Sequence, residues 1–277
     1  MNSARVSFRL VGGAQPLLLV PVEANGRGPF SFILDTGAGT TLLAPELAAS
    51  LGVRSTGKKT GQSAGGAVEV HLGTLDSLGV GGLMRSNLEI AIHDLSPISR
   101  TVGASLDGDL GYNFLKDYRL RLDFVACELR LEDPKRCEYF GAPALVDLPM
   151  RLAHPLKPLI LIDAWVNGRG PFQFALDTGT STTAISPRLG HELGLPSHPM
   201  ANVTTGGAAI AARAARVETL HLGAASVRDL DVMLGGFLDM LSQVIGKQLD
   251  GIIGYNFLRH FRVAIDYPNE NLSLFAV

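Results

Sequence analysis

The chain contains the same unit twice. Asn25-Gly26-Arg27-Gly28-Pro29-Phe30 recurs as Asn167-Gly168-Arg169-Gly170-Pro171-Phe172, a shift of 142. The match runs on from Phe32, Leu34, Asp35, Thr36, Gly37, Thr40 and Thr41 to Phe174, Leu176, Asp177, Thr178, Gly179, Thr182 and Thr183. Gly111-Tyr112-Asn113-Phe114-Leu115 returns as Gly254-Tyr255-Asn256-Phe257-Leu258, now shifted by 143. Identical blocks in one order at a near-constant offset define a duplicated unit of about 140 residues, far longer than the roughly 20–50 residues of a solenoid repeat. The expected organisation is a first lobe over residues 1–133 carrying Asp35, a linker over 134–147, and a second lobe over 148–277 carrying Asp177. A duplication of this kind places equivalent elements about a pseudo-twofold axis, as in a homodimer.

Each unit reads as β. Charged residues are 18% of the chain and hydrophobic residues 46%, against about 25% charged in a typical soluble protein. That balance excludes disorder, and 32 Gly with 15 Pro imply many tight turns. Residues 16–22 and 30–34 are apolar runs suited to buried strands, and 119–123 and 262–266 alternate with period 2. Short helices are expected at 46–51, behind Pro45 and ahead of Gly52, and at 113–117 and 256–260. Gly65-Gly66 and Gly206-Gly207 lie in small, polar stretches that read as hairpin tips.

Charge excludes further classes. Residues 1–142 carry 14 basic and 15 acidic side chains, and residues 143–277 carry 10 and 11. Neither half offers the clustered positive face that nucleic-acid binding needs. No apolar run approaches the roughly 20 residues of a membrane span. Residues 1–5 lack a secretory pattern, so the expected location is cytoplasmic as the sequence stands, or periplasmic or secreted if a leader has been removed. Cys127 and Cys137 are read as free thiols, with a disulfide across their short loop as the alternative. Neither cysteine nor histidine spacing fits a zinc site, and no metal or cofactor is expected. His71, His93 and His221 read as structural, Trp165 as packing, and Arg27 and Arg169 as solvated turn residues.

The chemistry lies in Asp35-Thr36-Gly37 and Asp177-Thr178-Gly179. One Asp-Thr-Gly alone is a common turn. Two copies at matching repeat positions, each after an apolar strand, bring Asp35 and Asp177 together if their loops lie near the pseudo-twofold. Adjacent carboxyls cannot both ionise easily, so such a pair holds one proton over a wide pH range. The ionised member can then take a proton from water while the protonated member donates to a carbonyl oxygen. Gly37 and Gly179 permit close approach of the two backbones, and Thr36 and Thr178 can hydrogen-bond across the axis. Ala38 occupies the place of Thr180, so a hydroxyl is available to Asp177 alone. On that count Asp177 is expected to ionise first and Asp35 to hold the shared proton.

With these motifs the sequence resembles the retropepsin- and pepsin-like aspartic proteases. Each half is similar to one retropepsin subunit, and Ile252-Ile253-Gly254 matches the hydrophobic-hydrophobic-Gly motif of that family. The resemblance implies an all-β, bilobal acid-protease fold of two β-barrel lobes with short helices. It also implies an aspartic endopeptidase with Asp35 and Asp177 as the dyad and Thr36, Gly37, Thr178, Gly179 and Thr180 supporting it. Gly65, Gly66, Gly206 and Gly207 would be flap residues over an extended polypeptide substrate, and the chain, holding its own pseudo-dimer, would be a monomer. The first half departs from the pattern at Gly108-Asp109-Leu110-Gly111: Asp109 either loosens the packing behind Asp35 or sets a third carboxylate near the cleft. Neither flap carries the tyrosine of pepsin-like flaps. Two rival readings stay open, an inactive peptide-binding module of the same fold and a glycosidase using a carboxylate pair.

Overall fold

A computed structural model of the protein describes residues 3–63, 66–133, 135, 143–155, 157–200, 203–205 and 208–277. Each repeat builds one eight-stranded sheet, and the two sheets share one strand order. In the first lobe the order is Arg9–Val11, Leu17–Ala24, Arg27–Leu34, Gly108–Leu110, Leu42–Leu43, Leu83–Ile92, Gly66–Val80 and Gly57–Ser63. In the second it is Arg151–His154, Lys157–Val166, Arg169–Leu176, Gly251–Ile253, Ala184–Ile185, Ala225–Gly235, Ala212–Leu222 and Ser197–Pro199. A further pairing, Glu23 with Gly79 in one lobe and Trp165 with His221 in the other, curls each sheet toward a barrel. The fold is thus all-β and bilobal.

The apolar runs seen in the sequence become the inner strands. Phe32 and Phe114, with their repeat mates Phe174 and Phe257, are among the largest fully buried side chains. They lie in one continuous core that runs through both lobes.

A third sheet joins the lobes. Its six strands run Ser3–Ser7, Glu128–Glu132, Arg119–Asp123, Arg262–Asp266, Asn271–Phe275 and Val146–Pro149. The two period-2 stretches pair antiparallel at its centre, Leu120 opposite Ile265 and Leu122 opposite Val263, where the pseudo-twofold relates one to the other. Val146–Pro149 pairs with Asn271–Phe275, so the expected linker end at residue 147 falls inside a strand of this sheet. Of that linker, residues 134 and 136–142 lie outside the described residues. Cys127 is a free thiol, and Cys137 lies outside the described residues.

The expected short helices form as Pro45–Ser50, Tyr112–Leu115 and Tyr255–Leu258. Pro187–Glu192 repeats the first of them, and its N-cap Ser186 accepts a hydrogen bond from the Leu189 amide. Two further helices, Ser96–Val102 and Phe237–Ile245, stand at the cleft. Arg27 and Arg169 are not simply solvated turn residues. Each donates from Nη1 to a carbonyl at the end of the helix after its loop, Ser50 O at 2.6 Å and Glu192 O at 2.9 Å, where helix carbonyls lack intrahelical donors.

Candidate functional site

Asp35 and Asp177 each follow a strand, Arg27–Leu34 or Arg169–Leu176, whose last three residues are buried. The parallel ladder continues one step into the loop: the Asp35 amide donates to Leu110 O at 3.2 Å, and the Asp177 amide donates to Ile253 O at 3.0 Å. Backbone position is therefore fixed by the short strand of the same lobe, Gly108–Leu110 for Asp35 and Gly251–Ile253 for Asp177. A second clamp also repeats. The Thr41 amide and hydroxyl both donate to Asn113 Oδ1, at 2.9 and 2.8 Å, and Thr183 makes the same pair of bonds to Asn256 Oδ1. The Asn113 and Asn256 amides then donate to Glu89 O and Asp231 O at 2.7 Å. The sequence signalled these four residues only as identities within the repeat.

The loops meet through their threonines. The Thr36 amide donates to Thr178 Oγ1 at 3.1 Å, and the Thr178 amide donates to Thr36 Oγ1 at 3.0 Å. Each hydroxyl then donates across the lobes, Thr36 to Leu176 O at 3.2 Å and Thr178 to Leu34 O at 2.7 Å. Both threonines are 1% exposed, so four buried backbone groups are satisfied by two side chains. Leaving such groups unpaired costs about 1–3 kcal/mol apiece.

This grip sets the carboxyls against the opposite glycines. A Cβ added at Gly37 would stand 2.6 Å from Asp177 Oδ2, and one at Gly179 would stand 2.5 Å from Asp35 Cγ. Only glycine fits either place. Asp35 and Asp177 share a side-chain hydrogen bond. Asp35 Oδ1 accepts from the Gly37 and Ala38 amides at 2.7 and 3.0 Å. Asp177 accepts from the Gly179 amide at 2.8 Å and from the Thr180 hydroxyl at 2.8 Å.

Thr180 does donate to Asp177, but the Ala38 amide gives Asp35 an equivalent donor that a comparison of side chains does not reveal. Burial, then the charge of Asp35, push Asp177 up to about 8 against the opposing pull of Thr180.

The pair lies at a cleft of about 560 Å³ between the lobes. Leu17, Ile33 and Ile98 line it from one lobe, and Met233, Phe237 and Leu241 from the other. Asp109 lines it too and is 6% exposed, hydrogen-bonded to Asp35. Of the two expectations for this residue, the third carboxylate is the one observed. Beneath the pair, two ring contacts cross between the lobes: Tyr112 on Tyr267, centroids 5.4 Å apart, and Tyr255 on Phe124 at 5.6 Å. Phe124 and Tyr267 are repeat mates, so the buried Tyr267 hydroxyl has no counterpart in the first lobe. Burial and then the charge of Asp35 hold it well above the ordinary tyrosine range.

Of the flap residues, Gly66 lies at the described end of the hairpin Gly57–Ser63 with Gly66–Val80, where its φ of 122° suits glycine. Lys59, Thr60 and Gly61 of that hairpin line the cleft. Gly65, Gly206 and Gly207 lie outside the described residues. The strands flanking the last two, Val203–Thr205 and Ala208–Ile210, pair antiparallel, and Val203–Thr205 reaches the helix Ser96–Val102 of the other lobe. His93 lines the cleft, whereas His221 sits in a strand pairing. Among the described residues, no group of three or more His, Cys, Asp or Glu is placed to hold a metal ion, and no helix is long and apolar enough to cross a membrane.

The family model described as aspartyl protease matches residues 20–114 and again residues 162–257. The chain belongs to the aspartyl protease family. The matches start in the strands Leu17–Ala24 and Lys157–Val166 and end within the helices Tyr112–Leu115 and Tyr255–Leu258, so each lobe carries one match to the family. A comparison with curated proteins finds no match.

Proposed function

We propose that this aspartyl protease family member is an endopeptidase that hydrolyses peptide bonds with water activated by Asp35 and Asp177. The observation that carries the reading is the contact between the two carboxyls, one from each lobe, at a cleft open to a polypeptide. With one proton between them, the ionised carboxylate takes a proton from water and the water oxygen bonds to the scissile carbonyl carbon. The protonated carboxyl donates to the carbonyl oxygen as charge develops there. The tetrahedral carbon then collapses: the C–N bond breaks as the amine nitrogen takes the proton that the base had removed from water, and a hydroxyl of the former carbonyl carbon returns its proton to the other carboxylate. The hairpin Gly57–Ser63 with Gly66–Val80, and its counterpart around residues 203–210, would cover the peptide.

A shared hydrogen bond between the carboxyls speaks against the glycosidase reading, which needs them about 5 Å or more apart. Both Asp-Thr-Gly loops are intact, and the threonine grip leaves the carboxyls pre-organised.

The test is digestion of a peptide library across pH, with new termini identified by mass spectrometry. Internal cleavage is expected, falling away as pH rises through about 8, where Asp177 loses its proton. Activity per chain should not change on dilution, because one chain supplies both carboxyls. Binding without cleavage at any pH would favour the inactive peptide-binding module. Activity that falls with a dimer-to-monomer transition would contradict a self-contained site.

A further inference from the structure

The repeat places Asp109 and Ile252 at matching positions, and the register confirms it. Asp109 lies beside Ile33 and opposite Leu42, just as Ile252 lies beside Ala175 and opposite Ala184. An aliphatic position of the second lobe is thus a carboxyl in the first. Its neighbours along the sheet, Ile33 and Leu42, bring no charge to it. Asp109 is more than nine-tenths buried, lines the cleft, and bonds through its side chain to Asp35. Its Oδ1 is buried without a hydrogen-bond partner.

Two carboxylates cannot both be charged at hydrogen-bond distance in a buried site, so one must carry a proton for the contact to exist. A protonated carboxyl has one O–H to give. A carboxyl buried against Asp35, with an Oδ1 that accepts from no amide, hydroxyl or ammonium, is the pattern of an acid that donates rather than an anion that accepts.

We propose that Asp109 is a positioning residue that stays protonated, donates its proton to Asp35, and so makes Asp35 the ionised and Asp177 the protonated member of the pair. With this donor Asp35 receives bonds from Gly37, Ala38 and Asp109, whereas Asp177 receives only Gly179 and Thr180 besides its bond to Asp35. Asp35 is then the base toward water and Asp177 the acid toward the carbonyl oxygen. The roles are fixed by a residue that one repeat has and the other lacks.

The charged and titratable surroundings agree. Burial first, then the charge of Asp35, its hydrogen bond and the charge of Asp177, all hold Asp109 well above the carboxylate range. The Lys157 ammonium opposes them as the smallest influence. Tyr267 faces Asp35 and Asp177 from the turn that follows Arg262–Asp266. Lys59, Glu89, His93 and His154 stand around the cleft wall.

The inference rests on the dyad reading for its consequence in catalysis, but its test does not need turnover. Protein carrying ¹³Cγ-labelled aspartate is titrated by NMR as wild type, Asp109→Asn and Asp109→Leu. Asp109 is expected to remain protonated at neutral pH. The Asn amide still donates, so the acid-side step of the Asp35/Asp177 pair should stay within about half a pH unit of wild type. The Leu side chain cannot donate, so that step should rise by about 1–2 pH units. An Asp109 signal titrating near 4, a step that falls in Asp109→Asn, or a step unmoved in Asp109→Leu would overturn the proposal. Should the Leu variant fail to fold, the Asp109 signal and the Asn variant decide it. Peptide cleavage is followed alongside: a triad that titrates as expected in a chain that cleaves nothing would remove the protease reading and leave the role of Asp109 standing.

Discussion

Asp35→Asn and Asp177→Asn are each expected to lower kcat/KM by at least about a thousandfold, and the double variant to be little worse than either. General acid and general base contributions each run to about 10²–10⁴-fold, and groups that act as one unit give losses that do not add. Asparagine keeps the shape and the bonds from the Gly37 and Gly179 amides, so both variants should fold. Circular dichroism and thermal unfolding beside the kinetics separate lost chemistry from lost structure. Substantial turnover in either single variant would show that the two carboxyls do not work as a pair.

The second large effect is on stability. Burial and Asp35 hold the Asp177 proton to about 8, whereas an unfolded chain releases it near 4. Unfolding between those values therefore releases a proton. The stabilisation is fully present below about pH 4 and is lost as pH rises toward 8. Its slope is at most about 1.4 kcal/mol per pH unit for one proton. The exposed carboxylates of Glu69, bonded to Lys58, and Asp94, bonded to the Ser96 amide, are lowered and act below this window. Asp177→Asn removes this contribution, whereas the one that Asp109 makes in the same direction remains in both proteins. In urea unfolding at pH 5, 6 and 7 the variant's stability relative to wild type should improve steadily with pH. A difference constant across that range would mean that Asp177 is already ionised in the fold.

Much of this was legible in the sequence because the duplication doubled every signal. The apolar runs before Asp35 and Asp177, the period-2 stretches and the Asp-Thr-Gly pair each occur twice, and the fold uses each pair in equivalent places. What the sequence concealed was of two kinds. Some of it is backbone: the Ala38 amide that serves Asp35 in place of a hydroxyl belongs to a residue whose side chain suggests no donor. The rest is long-range. Ser3–Ser7 and Val146–Pro149 enter one sheet with strands of both lobes, and no local pattern marks partners more than a hundred residues away. Tyr267 falls in this class too, since only the third sheet brings it beneath the pair. Asp109 was visible as a departure from the repeat, but its contact with Asp35 depends on the parallel pairing of Gly108–Leu110 with Arg27–Leu34.

The central claim is that one chain completes one two-carboxylate hydrolytic site. Calorimetric titration with a peptide in which a CH(OH) group replaces the scissile carbonyl tests it most directly, since that hydroxyl stands where the attacking water meets the pair. The account predicts one ligand bound per chain. It also predicts affinity at least about a hundredfold above that of the matching amide peptide, and loss of that advantage in Asp35→Asn and in Asp177→Asn. One ligand per two chains, or equal affinity for the hydroxyl and amide peptides, would contradict it.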